Sequence, residues 1–135
     1  MVAAGVLVVF DPRASSRRAL ECAAALAAPL TIVALAPPDE RGSHCTFHGP
    51  ELEMAVREAA ARDLDAAREQ LGVHAPDARF VLLPAGGARE LAGWAAAGGF
   101  TRVLVGARRR LLGVRMREPH ARALARAGID VSLVD

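Results

Sequence analysis

The chain has 135 residues, the size of one ordinary domain, long enough to bury a core without disulfides or metals. With 53% hydrophobic and 24% charged residues it has a globular composition, and no stretch approaches the roughly 20 apolar residues of a membrane span, so no membrane role is expected. The formal net charge of +2 is too small to argue for nucleic acid by itself, because non-specific binding needs a clustered basic footprint.

Residues 6–10 (VLVVF) form a continuous apolar run of strand length, as expected of a strand covered on both faces. The opening lacks the basic segment of a secretory leader, and Asp11-Pro12 stands where a small-residue cleavage site would be needed. A buried first strand in a cytoplasmic protein is the reading. Ser15 or Ser16 can cap a helix whose apolar positions Ala19/Leu20, Ala23/Ala24 and Ala27 recur at helical spacing, ending near Pro29. Residues 30–35 (LTIVAL) repeat the buried-strand pattern, and Pro37-Pro38 prevents its extension. Cys22 falls in the first helix and Cys45 in the polar, aperiodic stretch 39–49. Two cysteines so placed make no disulfide framework and fit a reducing compartment.

Gly49-Pro50 opens the clearest helix, with Leu52, Val56, Ala60, Leu64, Ala67 and Leu71 along one face and Gly72 just past its end. Residues 79–83 (RFVLL) give a third strand. A third helix over 88–97 carries Leu91 and Trp94/Ala95 and stops at Gly98-Gly99. Residues 101–105 (TRVLV) are strand four; a short helix from about 118 to 127, then Gly128, precede a fifth strand over 129–134.

Five strands alternating with four helices predict an α/β fold in one domain over 1–135: a doubly wound parallel sheet with helices on both faces. Ligands in such sheets bind beyond the carboxyl ends of the strands, where the winding direction switches. Strand order does not follow from spacing.

Several stretches carry a family resemblance. VLVVFDPRASSRRALECAAALA is similar to a first strand, strand-end aspartate and first helix of the universal stress proteins, and LTIVALAPP to their second strand with trailing prolines. FVLLPAGGARELAGWAAAGGFTRVLVGA resembles their third strand, glycine turn, third helix and fourth strand, and ALARAGIDVSLVD their last helix and strand. The resemblance spans nearly the whole chain. It implies strand order 3-2-1-4-5, a switch point between strands one and four, and Asp11 facing Gly106 across one crevice. It also implies a homodimer through the C-terminal edge strand that holds Val131 and Leu133.

In nucleotide-binding members of that family, the strand-one aspartate approaches the nucleotide, residues late in strand two touch the base, and a glycine loop after strand four holds the phosphates. Carried onto this chain, the cofactor-binding positions are Asp11 and Pro12, Ala34 and Leu35, and Gly106 with Arg108, Arg109 and Gly113. The family loop reads Gly-x2-Gly-x9-Gly-Ser/Thr. Laid from Gly106, its second glycine falls on Arg109 and its final pair on Pro119-His120; counted back from the last strand, the pair falls on Arg117-Glu118. Such glycines let backbone N–H groups approach phosphate oxygens, whereas arginine adds bulk and proline removes a donor.

The expectation is therefore a stress-response binding or interaction module without family-type ATP binding and with no cofactor. Two alternatives stay open. One is an ATP- or AMP-binding protein that uses Asp11, Gly106 and the loop arginines; the other is an anion or nucleic-acid contact surface built on the cluster Arg108, Arg109, Arg110, Arg115 and Arg117. Asp11 itself reads equally well as a turn residue.

His44, Cys45 and His48 have ligand-type side chains, but a structural zinc needs four ligands and no fourth is evident nearby, so no metal site is expected. Trp94 reads as core. His74 and His120 stand alone without a Ser or Cys nucleophile in a recognisable elbow; no catalytic residue is assigned, and nothing demands an enzyme.

Overall fold

The computed structural model describes residues 5–11, 13–26, 28–36, 49–72, 75–83, 87–107, 110–111, 114–115 and 119–135. Every run expected to be a strand is one. Strands β1 (Val6–Val9), β2 (Leu30–Leu35), β3 (Arg79–Leu83) and β4 (Arg102–Gly106) join the C-terminal strand (Asp130–Val134) in one five-stranded sheet. Two further strands, β5 (Arg110–Leu111) and β6 (Val114–Arg115), make a separate antiparallel ribbon, so the C-terminal strand is β7. The sheet order is β3-β2-β1-β4-β7 with all neighbours parallel, which is the 3-2-1-4-5 arrangement.

Helices cover both faces. Helix α1 (Ala14–Ala25) and helix α2 (Gly49–Leu71) share one; α3 (Ala88–Ala97) and α4 (Pro119–Arg126) share the other. The strand alternation shows in β1: Val6 and Val8 meet Ala19, Leu20 and Ala23 of α1 and Leu64 and Ala67 of α2, whereas Leu7 and Val9 meet Leu91 of α3 and Leu124 of α4. Strands apolar on both sides need both helix layers, and each fully buried Leu or Val contributes about 1.5–3 kcal/mol of transfer free energy. Trp94 packs against the second cluster, its ring 5.5 Å from that of Phe100, in keeping with a core role. Helix α2 stops where Gly72 takes φ +50°, a left-handed conformation that most side chains resist.

Two expectations need correction. Helix α1 is not capped by Ser15 or Ser16; it opens at Ala14 behind Arg13, whose side chain makes no capping bond, and both serines lie inside its first turn. The five expected strands are not the whole set, because β5 and β6 pair in the stretch between β4 and α4, Arg110 with Arg115 and Leu111 with Val114. Two-residue strands are too short to show any alternation in sequence. No helix among the described residues is long and apolar enough to cross a membrane.

Candidate functional site

The sheet reverses its winding between β1 and β4, which lie side by side with Val9 opposite Val105. Asp11 follows the carboxyl end of β1 and Gly106 ends β4, so the structure brings the two residues together at the neighbouring ends of these strands. What joins them was not anticipated: Arg13 spans the gap. Its backbone N–H and its Nε each donate to Asp11 Oδ1 at 2.9 Å, and Nε also reaches Oδ2 at 2.8 Å. Its Nη2 lies 2.8 Å from Oδ2 and donates to the Gly106 carbonyl at 3.3 Å.

The serines that fail as caps serve the same junction. Ser16 Oγ donates to Asp11 Oδ1 at 3.0 Å, and Ser15 Oγ donates to the Ala107 carbonyl at 2.8 Å. The first turn of α1 is thus fastened both to the aspartate before it and to the end of β4. That fastening requires glycine at 106: a Cβ there would stand 2.5 Å from Ser16 N and 2.8 Å from the Ser15 carbonyl carbon. In this fold Gly106 serves the close approach of a helix.

A carboxylate offers about four lone-pair directions, and those of Asp11 are already taken up by Arg13 and Ser16. Burial pushes its carboxyl up, but the side-chain and backbone hydrogen bonds from Arg13, the Arg13 charge and the Ser16 hydroxyl outweigh it and hold the group below its ordinary 3.8. Asp63 on α2 moves the other way, raised first by burial and then by the Asp11 charge, against a smaller lowering by Arg62. Asp63 is thus a second carboxylate coupled to Asp11, whose own charge is answered by Arg13.

A pH experiment follows. Because the folded-state pKa of Asp11 lies below its unfolded value, its contribution to stability is fully present above the unfolded value and is lost as pH falls through the folded one. Asp11 and Arg13 are 38% and 36% exposed, so solvent screening limits the pair, and Asp11→Asn should cost only about 1 kcal/mol at neutral pH. Urea midpoints of the two proteins should differ by a constant amount at neutral pH and converge under acid. A gap that persists undiminished at the lowest pH would show that the Asp11 charge is not what the variant removes.

The remaining candidate positions divide in two. Ala34 and Leu35 end β2 opposite Leu82 and Leu83 of β3; the Ala34 side chain is wholly buried in the core and Leu35 is half-buried. Pro12, Arg108, Arg109 and Gly113 lie outside the described residues, as do His44, Cys45, His48, His74, Arg117 and Glu118. Among the described residues no group of three or more His, Cys, Asp or Glu side chains is placed to hold a metal. Arg13 and Asp63 were missed in the sequence. The only available signal for Arg13 was its position two residues after a strand-end aspartate, and for Asp63 an acidic residue just before Leu64 on the apolar face of α2.

A doubly wound parallel sheet with an aspartate and a glycine at its switch point defines a class of α/β domain whose ligand crevice lies between the first and fourth strands. The fold is that of the universal stress proteins. A universal stress protein structure from Archaeoglobus fulgidus superposes with TM-score 0.75 at 17% identity, over 99% of this chain and 100% of that one. One from Burkholderia pseudomallei gives TM-score 0.69 at 20% identity, over 96% and 95%. A universal stress protein in complex with cAMP gives TM-score 0.54 at 21% identity, over 98% of each chain. No protein family model matches the sequence, and no curated protein matches it.

Proposed function

We propose that the chain is a universal stress protein-like binding or interaction module that works as a homodimer and does without family-type triphosphate binding. The observation that carries this reading is the saturated Asp11 carboxylate: Arg13 and Ser16 occupy the oxygens that a nucleotide-binding aspartate would turn to its ligand. The loss of three of the four specified loop positions points the same way. The test is calorimetric titration with ATP and magnesium, which should give no saturable heat below roughly millimolar, a level at which the binding free energy is only about 4 kcal/mol. Micromolar affinity, lost in both Asp11→Ala and Arg109→Ala, would overturn it and would mean that arginines have replaced the backbone cradle.

The solved relative in complex with cAMP supports a second reading. A cyclic nucleotide carries a single phosphate charge and needs fewer donors than a triphosphate, so a degraded loop disqualifies it less. A parallel titration with cAMP separates the two, since saturable heat with cAMP alone would favour a mononucleotide site.

The dimer reading rests on β7, an edge strand whose Leu133 is 44% exposed. An edge of this kind offers unpaired backbone groups to a second copy. Sedimentation at micromolar concentration should give twice the chain mass, and Leu133→Arg, which sets like charges against each other across a two-fold edge, should give the single chain. A wild-type protein that sediments only as one chain would remove the homodimer from the reading.

A further inference from the structure

On the sheet face away from α1 and α2, helices α3 and α4 leave an open groove of about 540 Å³. Its apolar lining is alanine: Ala88 and the buried Ala92 of α3, the half-buried Ala123 of α4, and the exposed Ala127 just beyond it. The rest of the lining is three exposed arginines, Arg89, Arg122 and Arg126, none of which has an acidic partner among the described residues. Asp11, Arg13 and Gly106 take no part in it, so it is separate from the switch point.

The volume would suit a small ligand, but such sites fix their ligand with a few well-placed polar groups of mixed kind, and this lining is only alanine and arginine. What it offers is a narrow apolar trough with a positive rim. Two helices of ten and eight residues set its length at about 12–15 Å, roughly two to three turns. Alanine in the lining lets a third helix come close, and arginine, with its planar fork, pairs carboxylates bidentately.

We propose that the α3–α4 groove docks an acidic amphipathic helix of a partner protein. The apolar stripe of that helix, repeating at i, i+3, i+4 and i+7, lies on Ala92, Ala123 and Ala127, and its flanking Asp or Glu residues pair with Arg89, Arg122 and Arg126. Charge complementarity selects this occupant: three arginines with no acidic partner among the described residues line one apolar trough on a chain whose whole net charge is only +2. The inference gives the interaction-module reading a surface, and the ATP titration keeps the two failures distinguishable, because none of the groove residues lies at the switch point.

The test uses the full chain and a fluorescein-labelled peptide of about 16 residues, long enough to cover the groove as a helix, with a Leu/Ala stripe flanked by Glu. Fluorescence anisotropy should show saturable micromolar binding, weakened roughly tenfold or more by Arg122→Glu with Arg126→Glu. Ala127→Trp, which fills the groove without changing charge, should weaken it as well. Arg57→Glu with Arg62→Glu, both exposed on α2, should leave it unchanged. Circular dichroism checks that each variant is folded. Absence of saturable binding, equal loss from the α2 charge reversals, or full binding by Ala127→Trp would each overturn the proposal. Binding of phosphatidylglycerol vesicles through the same arginines while the peptide fails to bind would overturn it in favour of a lipid surface.

Discussion

Gly106→Ala should lower the unfolding free energy by about 3 kcal/mol, at the upper end of what overpacking costs. The residue does not need glycine for its backbone angles, since the described glycines with positive φ are Gly72, Gly99 and Gly128. It needs glycine for space. The added methyl would stand 2.5 Å from Ser16 N and 2.8 Å from the Ser15 carbonyl carbon, and these are backbone atoms that cannot swing aside as a side-chain end can. To make room the first turn of α1 must lift, which pulls Ser15 Oγ off the Ala107 carbonyl and Arg13 off the Gly106 carbonyl. Gly93→Ala is the control: Gly93 sits exposed in α3, and a methyl added there would meet nothing within 4 Å, so the variant should gain about 0.5–1 kcal/mol. Urea unfolding with unchanged denaturant slope reads both. A Gly106→Ala loss below that gain would mean the glycine is not held by helix packing, and its role would have to be sought in a ligand.

Leu124→Ala should cost about 2–5 kcal/mol, the range for a leucine deleted from a packed core. Leu124 is fully buried, and it is the one side chain of α4 so buried among the described residues. With eight residues, α4 is far too short to hold itself in water and depends on that anchor. The loss should therefore be local as well as global. Hydrogen exchange should show amides of α4 losing protection at a lower free energy than those of β1 and β2, and the groove against α3 should open with them. Uniform loss of protection across the chain, with α4 no worse than the central strands, would refute the local part.

The extent to which the site was legible follows from the length scale of each signal. The bounds of β2, β3, α2 and α3 fall where the apolar patterns start and stop, because burial of a strand or a helix face needs a pattern of several residues that sequence displays directly. Asp11 and Gly106 came from a family resemblance, and the sheet order brings them together. Arg13, Ser15 and Ser16 carried no signal of the long-range bonds that Arg13 and Ser15 make. A serine at the start of a helix reads as a cap whether it bonds to its own helix or, as Ser15 does, to a carbonyl 92 positions away. Arginine after Asp-Pro reads as a solvated side chain until β4 is known to end beside it. The β5–β6 ribbon was hidden for a different reason, since its two-residue strands lie in an arginine-rich stretch with no period to detect.

The position of β1 at the centre of the sheet has a consequence in time. Arg13 bonds to Gly106, 93 residues further along the chain, and β4 is the strand that closes the second side of β1. At synthesis rates of roughly 5–20 residues per second, that strand emerges about 5–20 s after the first. Throughout that interval β1, with Leu7 destined for complete burial, has one edge unpaired, and for most of it the face meant for α3 is uncovered as well. A nascent chain stalled before Gly106 therefore holds β1 open to any passing partner, and the ribosome must add 93 residues beyond Arg13 before the bond that closes this side of the strand can form.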